Sequence, residues 1–354
     1  MYKAIADLPP ALAASVNAEE AAFIERIAAR GGLPFAVTAH FASLAGPARD
    51  DPIRRQFMPD PREAQRDPFA LRDPLGEACY RVVPRLIHQY RDRALLKTTA
   101  HCGGFCRFCF RREWVAAAKA EEEPFISAGE LEPVLCYVAG HPEIRELLLS
   151  GGDPLTASDE RLEWLFQKVR AVRPLSLRIC TRLPITAPNR ITPELVGLLK
   201  RFRPLRMAVH INHPRELSPE SRRALGAALE AGIPILVQTV LLKGINDTAA
   251  TLGALFRECR DLGLIPYYLF QLDLAPGTAH FRVPLKQGLS LYRELLETLP
   301  GTLVPAYAVD LPGGGGKIRL SEARIAGEEE RSWGRVYLLK DKNGKLWPYP
   351  ATGG

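Results

Sequence analysis

From Ala94 onward, short apolar runs alternate with amphipathic stretches. The runs are "ALLKTT", "ELLLSGG", "LSLRICT", "RMAVHIN", "PILVQTVLL", "IPYYLFQLD" and "TLVPAYAVDL". Between them, "SDERLEWLFQKVRAV", "SPESRRALGAALEAG" and "DTAATLGALFRECRDLG" carry apolar residues at helical spacing, several starting at a Ser or Asp cap. The repeat of about thirty residues from run to run is the length of a βαβ unit. Consecutive units of this kind build a parallel sheet, open or curled into a barrel.

Ahead of this rhythm the chain is helical to irregular. "NAEEAAFIERIAARGG" has helical periodicity and a Gly-Gly stop, whereas "LAGPARDDPIRRQFMPDPREAQRDPFALRDP" is proline-broken and strongly charged and predicts an extended wrap. We therefore expect an N-terminal helical and extended wrap over 1–88, the βα units over 89–318 and a short C-terminal segment over 319–354.

In a barrel of this type the chemistry collects at the C-terminal ends of the strands. Read in order, those ends carry the cysteine group of "AHCGGFCRFCFRREW", then "SGGDPL", Thr181-Arg182, His210, Gln238, Asp273, and Asp310 followed by "LPGGGGK". Polar groups thus gather on one rim of an otherwise apolar scaffold, as an active site requires.

Composition alters this picture little. The chain has 354 residues, is 47% hydrophobic and carries 30 prolines, enough for a sizeable core. No apolar run is long enough to span a bilayer, and the start "MYKAIADLPPALAAS" lacks the basic and apolar regions of an export signal. A cytoplasmic location is expected, without a membrane partner. The formal charge of +7 comes from Arg and Lys interleaved with acids, which points to a solvated surface rather than nucleic acid.

In a reducing compartment, clustered cysteines are metal ligands rather than disulfides. Cys102, Cys106 and Cys109 are spaced C-x3-C-x2-C, with no fourth cysteine nearby. The remaining four, Cys79, Cys136, Cys180 and Cys259, sit among apolar neighbours and are expected to be buried. Soft thiolates select zinc or iron–sulfur clusters. Structural zinc wants four protein ligands, and His101 beside Cys102 is too close in sequence to complete a set without strain. A cubane cluster takes one ligand per iron, so three cysteines leave one iron open.

This spacing at the end of a first strand, with "SGGDPL" after the second, resembles the radical S-adenosylmethionine enzymes. The motifs "CRFCFRRE", "LLLSGGDPL", "RLPITAPNRITPELV", "HINHPRE", "VLLKGIND", "PYYLFQLDLAPGTAHFR" and "VDLPGGGGK", in this order from about Asp51 to Leu320, are similar to the lysine 2,3-aminomutase family. The resemblance implies an α/β fold with a partial (β/α)6-type barrel of parallel strands. It implies an isomerase that moves the amino group of L-lysine to give β-lysine through a 5′-deoxyadenosyl radical. The cofactors would be a [4Fe–4S] cluster on Cys102, Cys106 and Cys109, S-adenosylmethionine, and pyridoxal 5′-phosphate on Lys317. Tyr90 and Arg93 would help hold the pyridoxal phosphate. Ser150, Gly151, Gly152 and Asp153 would face S-adenosylmethionine, with Thr181, Arg182, His210 and Gln238 making further polar contacts. The partners would be a small amino acid substrate and a flavodoxin- or ferredoxin-type electron donor, and a homo-oligomer is expected.

By the same resemblance Arg111 pairs with the substrate carboxylate, a task suited to a guanidinium fork. Asp273 and Asp310 would receive the ε-ammonium, since two carboxylates in a closed pocket need a cation between them. Arginine also fits between two acids, so arginine or glutamate as substrate, and supply of (R)-β-lysine for elongation factor P, remain alternatives. An iron–sulfur RNA-binding protein without catalysis is the alternative from another class. The chain also departs from the family pattern. Phe270 stands where the best-known members have tyrosine, Thr248 follows "GIND" where they have cysteine, and the tail "WPYPATGG" has none. No structural zinc is expected.

Overall fold

The computed structural model describes residues 1–30, 32–117 and 125–352. Each of the seven apolar runs becomes a strand: β3 (Arg93–Thr99), β4 (Glu146–Gly151), β5 (Ser176–Thr181), β6 (Leu205–His210), β7 (Ile235–Val240), β8 (Ile265–Phe270) and β9 (Ala306–Leu311). These pair in parallel and in chain order. Helices Ala128–Gly140, Asp159–Val172, Pro193–Arg201, Pro219–Glu230, Ala249–Asp261 and Leu285–Thr298 make the six crossovers. The parallel α/β sheet is what the periodicity predicts, and its (β/α)6-type repetition is what the resemblance implies. Apolar residues of strands and helices interlock in one continuous core, with Leu149, Leu177, Ile179, Met207, Ile235, Leu255 and Phe256 fully buried.

Antiparallel strands flank this parallel set. β1 (Arg81–Val83) and β2 (Leu86–Tyr90) precede β3, and β10 (Gly316–Arg319) folds back on β9, which makes a ten-stranded sheet. The sheet therefore takes in residues 81–88, which the sequence assigns to the wrap. Its two ends are not paired as strands, but side chains and turns join them. Tyr80 Oη donates to Gly314 O at 2.7 Å, Lys317 N donates to Tyr90 Oη at 2.9 Å, and Gly313 N donates to Pro74 O at 3.0 Å. A Cβ on Gly76 would lie 2.5 Å from Gly314 N, so glycine is needed where the two turns meet. The curled sheet is a partial barrel whose last hairpin closes on its first.

Three further strands, β11 (Ile325–Arg331), β12 (Gly334–Lys340) and β13 (Leu346–Pro350), form a separate antiparallel sheet. Trp347 lies against Gly315, where a Cβ would come within 2.7 Å of the indole, and Tyr349 Oη donates to Leu272 O at 2.9 Å. The C-terminal segment thus backs the glycine turn that leads into Lys317.

In the N-terminal wrap the charged residues turn inward. Asp51, Arg54, Gln56 and Glu63 are all buried. Glu63 accepts from Arg107 Nε at 2.8 Å and Nη2 at 2.6 Å, and from Arg112 Nη2 at 2.6 Å. Helix Ala18–Arg30 forms as its periodicity predicts, although Gly31 of the expected stop lies outside the described residues. Among the described residues no helix is long and apolar enough to cross a membrane.

Removing one member of a buried charge group leaves the others uncompensated, at a cost of about 3–5 kcal/mol. Glu63→Gln should lose about that much stability in urea denaturation of the cofactor-free protein. Arg62→Ala, at an exposed pair with Asp60, should lose no more than about 1 kcal/mol. Equal, small losses in both variants would refute the clamp.

Candidate active site

The loop after β3 carries Cys102, Cys106 and Cys109, and the wrap holds it in place. Phe105 N donates to Ala36 O and Arg107 N to Gln56 O, each at 2.9 Å. Arg107, fully buried, also donates to Leu33 O at 3.1 Å and Pro34 O at 2.8 Å. Phe108, between the second and third cysteines, packs with Leu242, Ile245, Leu272 and Phe281. Burial raises the Cys109 thiol to about 11, and the nearby Cys106 adds to this. Cys102 is likewise pushed up, by burial first and then by Cys109, Asp153 and Cys106. The Cys102 and Cys109 thiols therefore stay protonated unless cations claim them. Three soft donors within electrostatic reach of one another fit a cluster that takes one thiolate per iron.

At the far end of the sheet, Lys317 on β10 lies directly across from Asp310 on β9. Its Nζ is 2.5 Å from Asp310 Oδ2, 4.0 Å from the centre of the Phe270 ring and 5.3 Å from that of Tyr268. Tyr90 accepts from the Lys317 backbone, and the Arg93 guanidinium stacks 4.2 Å from the Tyr90 ring. The expected pyridoxal group of Lys317, Tyr90 and Arg93 is thereby brought together. Arg93 also pairs with Asp92 at 2.8 Å.

Asp273, three residues past β8, is buried within electrostatic reach of Asp310, Lys317, Arg111 and Glu77. Burial, reinforced by Asp310, raises its carboxyl to about 8, against the pull of Lys317 and Arg111. The two acids and the arginine expected to hold substrate thus lie within electrostatic reach of one another.

Arg111 is oriented by a residue that sequence reasoning missed. Its Nε and Nη2 donate to Glu77 Oε1 at 2.9 and 2.5 Å, and Nη1 donates to Ser150 Oγ at 2.9 Å. Glu77 also pairs with Lys97 at 3.4 Å. Burial would raise the Glu77 carboxyl, but the Arg111 and Lys97 charges outweigh it and hold it below the usual range. Three of its five N–H donors are thus taken, and one N–H on each terminal nitrogen of Arg111 is left over.

The strand-end residues divide into two groups. Asp153 binds neighbouring strand ends to each other: it accepts from Thr181 Oγ1 at 2.8 Å, Arg182 N at 2.7 Å, Leu155 N at 3.1 Å and Leu183 N at 3.2 Å. Gly151 and Gly152 pack on the backbone before the cysteines, where a Cβ on either would meet Thr99 O at 2.3 Å or His101 O at 2.0 Å. Arg182 donates to Cys106 Sγ at 2.9 Å. These residues are engaged with one another and with the cysteine loop. His210 and Gln238, aligned across β6 and β7, remain at the rim. Burial pushes the His210 imidazole down to about 3, so it is neutral, and Nε2 donates to Asn212 Oδ1 at 2.9 Å.

The four other cysteines are not uniformly buried. Cys259 is, and Cys180 is half-buried, but Cys79 and Cys136 are exposed. Cys136 lies on the outer face of helix Ala128–Gly140 with its thiol 3.7 Å from Glu132, so apolar neighbours in sequence were a poor guide to its face.

No family model matches the chain. It is similar to curated relatives along most of its length. The L-lysine 2,3-aminomutase of Escherichia coli is 40% identical over 75% of this chain and 76% of its own. That of Clostridium subterminale is 38% identical over 80% of this chain and 68% of its own, and that of Fusobacterium nucleatum is 39% identical over 80% and 67%. The chain belongs to the L-lysine 2,3-aminomutase family. Membership in this family accounts for the order of the motifs on the rim, and the structure adds Glu77 and Glu63 to the residues that shape it.

The raised carboxyl of Asp273 has a thermodynamic consequence. The folded chain keeps this proton to about pH 8, whereas an unfolded aspartate loses it at about pH 3.9. Between these values the folded state binds the extra proton, so stability falls as pH rises, by up to about 1.4 kcal/mol per unit from this group. Urea midpoints of the cofactor-free protein at pH 6 and pH 8 should therefore differ more in the parent than in Asp273→Asn. Equal differences would show that Asp273 is ionised throughout.

Proposed function

We propose that this chain is a radical S-adenosylmethionine isomerase that interconverts L-lysine and β-lysine. The observation that carries the reading is the gathering of Lys317, Asp310, Asp273 and Arg111, within electrostatic reach of one another, on the rim that bears the three thiols. When bound, the [4Fe–4S] cluster with S-adenosylmethionine supplies the 5′-deoxyadenosyl radical, and pyridoxal 5′-phosphate supplies the π-system across which the amino group moves.

The residues of the chain do the holding. Cys102, Cys106 and Cys109 ligate the cluster, and Lys317 carries pyridoxal phosphate with Tyr90 and Arg93 alongside. His210, Gln238 and the backbone of Ser150 to Gly152 offer contacts to S-adenosylmethionine. Arg111, steadied by Glu77 and Ser150, presents its free N–H pair to the substrate carboxylate. Asp273 and Asp310 receive the ε-ammonium. For Asp273 this means giving up its proton as the cation enters, because the pair is favourable only when the carboxylate is charged. Asp310 exchanges the ammonium of Lys317 for that of the substrate. A low-potential donor of the flavodoxin or ferredoxin type delivers the electron. We place the protein in the cytoplasm, as a homo-oligomer.

Anaerobically reconstituted protein with dithionite, S-adenosylmethionine, pyridoxal phosphate and lysine should form β-lysine. Turnover of another amino acid in place of lysine would overturn the substrate. Removing one partner of a desolvated charge pair costs about 2–5 kcal/mol, which corresponds to a loss of roughly 30-fold to several thousand-fold. Asp273→Ala should lower lysine turnover by that factor. Its iron content should match the parent, and borohydride should still fix pyridoxal phosphate on Lys317. In contrast, Cys106→Ala should lose iron together with all cleavage of S-adenosylmethionine. A fully active Cys106→Ala protein would remove that residue from the ligand set.

A further inference from the structure

Arg182 reaches the cysteine loop from the end of β5 and cannot swing away. Its Nη1 donates to Cys106 Sγ at 2.9 Å, while Nη2 donates to Gln56 Oε1 at 2.5 Å and to Glu216 Oε2 at 3.0 Å. Both acceptors are themselves fixed. Glu216, fully buried, takes Gln56 Nε2 at 2.9 Å and Asn212 N at 3.1 Å, and Gln56 Oε1 takes Asn212 Nδ2 at 3.0 Å. The guanidinium lies 4.9 Å from the Phe41 ring centre and 5.4 Å from that of Phe108.

We infer that Arg182, held by Glu216 and Gln56, is a positioning residue that sets the reduction potential of the iron–sulfur cluster through Cys106. The inference rests on the reading that Cys102, Cys106 and Cys109 hold such a cluster. One-electron reduction by a flavodoxin- or ferredoxin-type donor adds one negative charge, which the thiolate ligands share. A cationic donor on one thiolate favours that added charge, and hydrogen bonds to cluster sulfurs are a recognised lever on potential. Of the charged groups around Arg182, Glu216 opposes its charge directly. Glu216 bonds the nitrogen turned away from Cys106, so the sulfur feels the guanidinium more than the carboxylate. His210, stacked 5.4 Å from Phe108, is neutral and adds no second cation.

Two substitutions should move the potential in opposite directions. Arg182→Gln keeps an amide but removes the charge. At a fixed potential it should raise the ratio of oxidised to reduced cluster about tenfold, which is a midpoint about 59 mV lower for one electron. Glu216→Gln keeps the shape of the network and frees the guanidinium charge, so its midpoint should rise. Arg182→Lys, with the charge restored, should return most of the way to the parent value. The measurement is a dye-mediated reductive titration followed by electron paramagnetic resonance, without substrate and with iron content determined for each protein. A midpoint unmoved in Arg182→Gln at parental iron content would overturn the inference, as would shifts of the same sign in Arg182→Gln and Glu216→Gln. Should Arg182→Gln fail to hold iron, Glu216→Gln decides alone: an unchanged or lowered midpoint refutes the role. Failure of the parent to take up any cluster would instead sink the reading on which the inference stands.

Discussion

One carboxylate with almost no access to water, Glu63, holds two guanidinium groups of the cysteine loop. Its cost is desolvation, and its return is placement: Arg107 and Arg112 lie on either side of Cys109, so the loop cannot slide without separating buried charges. The wrap that supplies Glu63 also supplies Gln56, which accepts from Arg107 N and positions Arg182. Segments that read as a charged, proline-broken periphery are in fact the backing plate of the thiols. The geometry of the site depends on this plate before any cofactor arrives.

The groups expected to meet substrate follow the same rule of neutrality. Two of the three already have a charge of opposite sign from the chain: Glu77 on Arg111 and Lys317 on Asp310. Asp273 is left without its own cation and keeps a proton instead. These charges are thus balanced within the chain itself, by an internal acid and an internal amine. Such balance is how a buried site can hold so many ionisable groups without unfolding.

Much of this was legible in the sequence, and the boundary is physical. Period-two and helical apolar patterns report burial on one face, so β3 to β9 and helices such as Asp159–Val172 could be read directly. The rim residues were readable because strand ends have fixed sequence positions in a βα repeat. Glu77, Glu63 and Glu216 were not, since an acid that turns inward to meet an arginine 34 to 49 residues away looks the same as a solvated one. Asp153 and Arg182 were found by position, but their partners were not: hydrogen bonds within the rim claim groups that sequence alone leaves free for a ligand. Of the three C-terminal strands, Ile325–Arg331 is rich in charge and mostly exposed, and the other two lack the apolar alternation that would have announced them.

The closure between Gly314 and Tyr80 spans 234 residues of chain. Such a contact can form only after the chain through Gly314 has left the ribosome, because the lysine-bearing hairpin is the last part of the barrel to be made. Until then β9 presents a bare edge, the kind that recruits foreign strands. Neighbouring βα units can assemble in order as they emerge, at modest loop-closure cost, while the ring waits for its final hairpin. A ribosome stalled short of Lys317 would therefore hold a curved sheet with a core, yet with neither the pyridoxal lysine nor the seam that shuts the barrel.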